Sequence, residues 1–231
     1  MTRPDPIIEK LLNAALPHVT FDGWGEASFA AAATESGIGL AEARLICARG
    51  GLDLAVAFHR AGDAKMLAQL AAADLEQMRF RDRVATAIRF RLEAVSDKDL
   101  VRRAAALFAL PQHAAEGAHL VWGTADAIWS ALGDTSDDLN WYSKRASLSV
   151  VYGATVLYWL GDNSDSSQQT WEFLDRRIEN IMQFEKLKSG MRKNPGLDRL
   201  YEATLGRVRA PRANPMQDMP GHEHNKRTNP E

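Results

Sequence analysis

The chain has 231 residues, 45% of them hydrophobic, and a formal net charge of −2. That length gives ample core for one domain of ordinary size, or one and a half, and the near-balanced charge exerts no global pull toward nucleic acid. A single cysteine, Cys47, excludes an internal disulfide and any Cys-rich metal site and suits a reducing compartment.

The opening MTRPDPIIEK has neither a signal h-region nor an Arg/Ser-rich presequence. The expected location is therefore a bacterial-type cytoplasm, or peripheral on the inner face of a membrane. Pro4 and Pro6 mark the start of a first amphipathic helix through Ile7, Ile8, Leu11, Leu12 and Ala15. A turn at Phe21–Gly25 follows. Glu26–Ser36 reads as a short helix ended by Gly37, and Leu40–Arg49 as another, ended by Gly50-Gly51. This is a helix-turn-helix outline with the spacing of the TetR-type amino-terminal domain.

The electrostatics do not follow the shape. Residues 1–50 hold four basic and six acidic side chains, a net of −2, where a DNA reader needs cations facing phosphates. The would-be recognition helix offers only Arg44 and Arg49, with Glu42 beside them. No nucleic-acid partner is expected.

Leu54–Gln77 continues helical, with Gly62-Asp63 as the place for a break. Phe80, Val84, Ile88 and Val95 mark the buried side of the next helix, which also carries Arg79, Arg81, Arg83, Arg89 and Arg91. Acidic residues are interleaved, so the arginines read as a solvated face. Ser96 or Asp97 caps a helix to Leu110, and Pro111 starts another through Leu132. In that helix Ala118, Trp122, Ala125, Trp129 and Leu132 recur with heptad-like spacing, as either plain core or the wall of an apolar cavity between helices.

An acidic turn from Asp134 then opens onto Trp141-Tyr142 and the basic pair Lys144-Arg145. No charge appears from Ala146 to Gly161, 16 residues, too short a run for a membrane span of about 20. Gly161 sits where a helix C-cap belongs, and Asp162–Ser167 are turn and N-cap residues. Trp171, Leu174, Ile178, Ile181 and Met182 then share one helix face, with Glu172 and Arg176 as an i,i+4 pair on the other. The centre of the chain is thus a helical hairpin with Trp141-Tyr142 at its open mouth.

From Lys186 to Arg212 there are eight basic and two acidic residues, and Leu197, Leu200, Tyr201, Leu205 and Val208 fall on one helix face. That is either a membrane-surface anchor or a helix that docks on the core or on a second copy. Residues 213–231 have the composition of a disordered tail. Catalytic and metal constellations are missing from the sequence. Only Glu116-x-x-His119 exists where a di-iron bundle needs two such motifs and two further glutamates, and His222-Glu223-His224 lies in the tail. No cofactor is expected, and no enzymatic activity.

The strings DDLNWYSKRASLSVVYGATVLYWLGDNS and TWEFLDRRIENIMQFEK closely resemble the accessory lipid-binding protein of ubiquinone (coenzyme Q) biosynthesis, the ninth in the coenzyme Q series. ALPQHAAEGAHLVWGTADAIWSALGDTSDD and FDGWGEASFAAAATESG extend the resemblance to about residues 6–190. The resemblance implies an all-α, TetR-like bundle that dimerises through its carboxy-terminal helices and is not an enzyme. It implies four regions: a degenerate helix-turn-helix (1–60), a ligand and dimerisation bundle (61–190), an amphipathic membrane-associating segment (191–212) and a disordered tail (213–231).

It further implies a protein that holds an isoprenoid quinone intermediate or other lipid and presents it to the di-iron demethoxyubiquinone hydroxylase. Trp122, Trp129, Tyr158 and Trp159 become candidate lipid-lining residues, and Asp138, Trp141, Tyr142 and Arg145 the candidate partner surface. The alternative is a TetR-type repressor sensing an apolar ligand. Two departures stand out, the missing presequence and a short terminal amphipathic helix interrupted by Gly206.

Overall fold

The computed structural model describes residues 5–95, 97–192 and 209–210, with the backbone alone at 182 and 184–192. Among the described residues the fold is all-helical: α1 (Pro6–Asp22), α2 (Glu26–Ser36), α3 (Leu40–Ile46), α4 (Gly51–Ala72), α5 (Phe80–Glu93), α6 (Lys98–Phe108), α7 (Ala114–Ala131), α8 (Leu139–Gly161) and α9 (Gln168–Arg192). Ser96, the amphipathic residues Leu197, Leu200, Tyr201, Leu205 and Val208, the tail and its His222-Glu223-His224 lie outside the described residues.

Capping chemistry sets most boundaries. The Asp5 carboxylate accepts from the Ile7 amide at 2.8 Å with Pro6 in the first helical position, as an N-cap followed by proline should. Asp97 and Asp138 cap α6 and α8 in the same way. Gly37 closes α2 with φ +66, a left-handed geometry that glycine adopts without a side-chain penalty. Gly161, by contrast, remains inside α8. The cap falls on Asp162, whose carboxylate turns forward to accept from Ser164 N, Thr170 N and Thr170 Oγ1 and so nucleates α9.

Two other boundaries differ from expectation for identifiable reasons. α3 stops at Ile46 rather than Arg49, because the Asp53 carboxylate takes the Arg49 amide and guanidinium, both at 2.8 Å, and holds the chain in a turn. α4 runs unbroken through Gly62-Asp63. A Cβ at Gly62 would lie 2.5 Å from Arg91 Nη1, so this glycine is a seat for a neighbouring side chain and not a hinge.

Two apolar cores result. The first gathers Leu11, Val19, Trp24, Phe29 and Leu54 around α1–α4 and α6. The second gathers Met66, Ile88, Ile128, Val151 and Leu174 from α4, α5, α7, α8 and α9. α4, about 33 Å long at 1.5 Å per residue, serves both and crosses residue 60 without a break, so the amino-terminal region and the bundle share a helix. Trp24 reinforces the join by donating to Leu100 O of α6 at 3.1 Å. No helix among the described residues is long and apolar enough to cross a membrane.

Candidate functional site: an apolar cavity and an aromatic patch

Where α4–α8 meet, they leave a cavity of about 380 Å³, within the usual range for small-molecule sites. Phe58, Val101, Phe108, Val121, Val156 and Trp159 supply apolar walls. One wall is polar, with His59, Arg91 and Tyr152 at its surface. Behind it Arg91 Nε donates to Asp63 Oδ1 at 2.6 Å and Nη2 to His59 O at 3.0 Å. Thr124 donates to Asp63 Oδ1 at 2.9 Å, and its Oγ1 lies 2.9 Å from His59 Nε2. Burial, helped by the Arg91 charge, lowers the His59 pKa to about 4, so the imidazole is neutral at neutral pH. Burial likewise raises the Tyr152 phenol.

This polar set was not among the candidates read from sequence, yet it leaves two traces there. Val84, Ile88, Arg91 and Val95 share one spacing of four, three and four, which puts Arg91 in the apolar stripe of α5, not on its solvated side. His59 and Asp63 are four residues apart on α4 and so share a face. The other helix-borne arginines do serve the surface or the local backbone. Arg81 pairs with Asp82 and Glu179, Arg89 pairs with Glu93, and Arg83 donates to Glu76 O and Met78 O.

A second cavity of about 430 Å³ lies between α5, α7, α8 and α9, bordered by Phe80, Val84, Trp129, Leu148, Ile178 and Ile181. The lipid-lining candidates therefore divide. Trp159 borders the first cavity and Trp129 the second. Trp122 packs on Trp141 with ring centroids 6.0 Å apart. Tyr158 is stacked on Phe173 at 4.4 Å, partly exposed on the outer side of α8.

The four patch residues do converge on the first turns of α8. Asp138 caps the helix, while Trp141 and Tyr142 meet edge to face at 4.8 Å, both half-buried rather than exposed. Arg145 is not on the surface at all, being 2% exposed. Its Nε donates to Asp126 Oδ1 at 2.5 Å and its Nη1 to Asp134 Oδ2 at 2.9 Å, and its guanidinium carbon lies 4.0 Å from the Trp141 ring centre. Lys144 Nζ donates to the other Asp134 oxygen at 2.7 Å. Although burial disfavours the Asp134 carboxylate, the hydrogen bonds from Lys144 and Arg145 prevail and lower its pKa to about 2. The described end of the chain also reaches this patch, since Tyr142 Oη donates to Arg209 O at 3.1 Å and Ala210 N to Asp137 O at 2.8 Å.

The two arginines of the would-be recognition helix are occupied. Arg44 pairs with Glu26 and lies over the Phe29 ring, and Arg49 pairs with Asp53 and Glu116. Among the described residues no group of three or more His, Cys, Asp or Glu is placed to hold a metal ion.

The solved structure of a TetR transcriptional regulator from Nitrosomonas europaea superposes with a TM-score of 0.63 over 76% of this chain and 97% of that one, at 20% identity. The fold is thus TetR-like. Among curated proteins, the mitochondrial ubiquinone biosynthesis protein COQ9 of Drosophila melanogaster is 34% identical over 190 residues, 80% of this chain and 58% of that protein. The corresponding proteins of Rattus norvegicus and Homo sapiens are 30% and 28% identical, over 77% and 75% of this chain and 59% and 57% of theirs. The chain thus spans under three fifths of the length of these relatives. The COQ9 family profile matches residues 114–185, which hold α7, α8 and the first part of α9 with the Trp141–Arg145 patch and much of the cavity wall, and over this stretch the chain is similar to the COQ9 family.

Proposed function

We propose that this protein is a non-catalytic lipid-binding component of ubiquinone biosynthesis, holding an isoprenoid quinone intermediate and presenting it to the di-iron demethoxyubiquinone hydroxylase. The observation that carries the reading is the cavity of about 380 Å³ among α4–α8, walled largely by apolar side chains, in a chain whose relatives are named for ubiquinone biosynthesis.

Trp141 and Tyr142 with Asp138 form the surface offered to the hydroxylase, and Arg145 positions it from beneath. A half-buried aromatic pair with charge around it has the character of an interface hot spot. Residues Leu197, Leu200, Tyr201, Leu205 and Val208, with their basic flank, attach the protein peripherally to the inner face of the membrane. α8 leaves Val150 and Leu157 exposed at 72% and 67%, about two turns apart on a shared face with Ala154 between them, which supports a homodimer formed on that face. A repressor is the weaker reading, because both arginines of the would-be recognition helix are held by carboxylates.

Native mass spectrometry with lipid extraction, on protein purified without detergent, tests the reading. A quinone intermediate or other isoprenoid lipid bound to the protein is the expected result. An empty protein that shifts operator DNA would replace this reading with the repressor.

A further inference from the structure

An apolar cavity that merely shields a hydrocarbon tail has no use for an arginine. Burying charged groups costs several kcal/mol unless they are paired, and an apolar replacement of a buried pair is often as stable or more so. Here Arg91 is 5% exposed, sits in the apolar stripe of α5, and is accommodated only because α4 presents Gly62 against it. Its partner Asp63 and the hydroxyl of Thr124 are arranged behind the wall, so that Arg91, His59 and Tyr152 face the cavity together.

The charges of this wall cancel. Arg91 is balanced by Asp63 at 2.6 Å, and His59, kept neutral by burial and by Arg91, adds none. A phosphate or carboxylate head entering here would place a second negative charge near Asp63 in a poorly solvated space, where like charges repel strongly. A neutral carbonyl or hydroxyl oxygen meets no such penalty and can accept from Arg91, whose nitrogens are donors only. We propose that the His59–Arg91–Tyr152 wall is the head-group end of the cavity and takes an uncharged ring bearing hydrogen-bonding oxygens, a quinone or phenol, in preference to an anionic lipid.

This rests on the lipid-cavity reading, and the test separates the two. Three probes are titrated into the full-length protein by competition with a fluorescent apolar dye: a ubiquinone with a single prenyl unit, farnesene as a headless isoprenoid, and oleate. The quinone is expected to bind about tenfold tighter than farnesene or oleate, the yield of one net hydrogen bond to a charged donor. In the charge-conserving pair Asp63→Leu with Arg91→Met the quinone falls to the level of farnesene, and in His59→Leu, which keeps Arg91, it falls part of the way, while farnesene is unchanged in both.

Native protein that binds farnesene or oleate as tightly as the quinone leaves the cavity standing and overturns the head-group assignment. So do variants that keep full quinone affinity. Native protein that binds none of the three overturns both readings. Should the variants not fold, infrared spectra of the native quinone complex decide. A carbonyl stretch lowered relative to that in alkane solution is expected, and an unshifted one overturns the proposal.

Discussion

Trp141 rests on Arg145, the ring centre 4.0 Å from the guanidinium carbon, and Arg145 in turn bridges Asp126 and Asp134. The aromatic surface at the mouth of the α8–α9 hairpin is therefore set on a buried ionic support rather than on apolar packing alone. The support is directional, since Asp134 is held from its other side by Lys144 and its side chain is 2% exposed.

Trp141→Ala and Arg145→Met should consequently fail in different ways. Removing the ring is expected to weaken binding to the proposed hydroxylase partner by about 2 kcal/mol or more, roughly thirtyfold, with about 1–2 kcal/mol lost in stability. Removing the guanidinium leaves a buried carboxylate short of its partner, which costs about 3–5 kcal/mol of folding free energy. Urea unfolding beside surface plasmon resonance against the hydroxylase distinguishes them. Equal stability losses in the two variants would contradict the arrangement.

Stability should fall toward acid in two stages. His59 has its pKa depressed from 6.5 to about 4, so the unfolded chain binds its proton first. Its contribution is complete above pH ~6.5 and is lost as pH falls toward 4, about 3 kcal/mol in all. Asp134, depressed from 3.8 to about 2, contributes above pH ~4 and is lost between there and pH ~2, about 2 kcal/mol. Chemical denaturation at a series of pH values should show both limbs, and His59→Leu should flatten the first alone.

Gly62→Ala ought to destabilise, although alanine is the better helix former by about 1 kcal/mol. The new Cβ would lie 2.5 Å from Arg91 Nη1 and 2.6 Å from its Cζ, on an arginine held by Asp63 and by His59 O. Overpacking of this kind costs about 1–3 kcal/mol. Gly153→Ala, where an added Cβ meets nothing within 4 Å, should be neutral or stabilising. A lower melting temperature for the first and not the second is the expected pair of results.

Leu157→Asp places a charge on the exposed face of α8 with Val150. If two copies pair there, the substitution buries two like charges near the symmetry axis and the dimer should dissociate. Light scattering coupled to gel filtration is expected to show a dimer for the native chain and a monomer for Leu157→Asp, with helical content unchanged.

Much of the architecture was legible because short-range rules wrote it. The end of α2 follows from an alanine-rich run closed by Gly37, the start of α1 from Pro6 in its first position, and the start of α6 from Asp97 two residues ahead of a free amide. The position of Trp141 and Tyr142 at the head of α8 came from the same reading. The errors share a cause. Charge pattern groups Arg91 with the solvated arginines and the family resemblance places Arg145 on the partner surface, yet both are buried, because neither says what stands opposite a residue. Gly62 and Gly161 look like punctuation, yet one seats a guanidinium and the other passes its capping role to Asp162.

The sequence by itself determined an all-helical chain, the helical hairpin at its centre, and the absence of a cationic face on the degenerate helix-turn-helix. Each of these depends on neighbours within a few residues. Only the tertiary structure decided that Asp63, Arg91, Thr124 and Tyr152, from four different helices, share one polar wall, and that the candidate tryptophans divide between two cavities. Both depend on how far apart the helices pack, and that distance is set by the summed volumes of side chains distant in sequence.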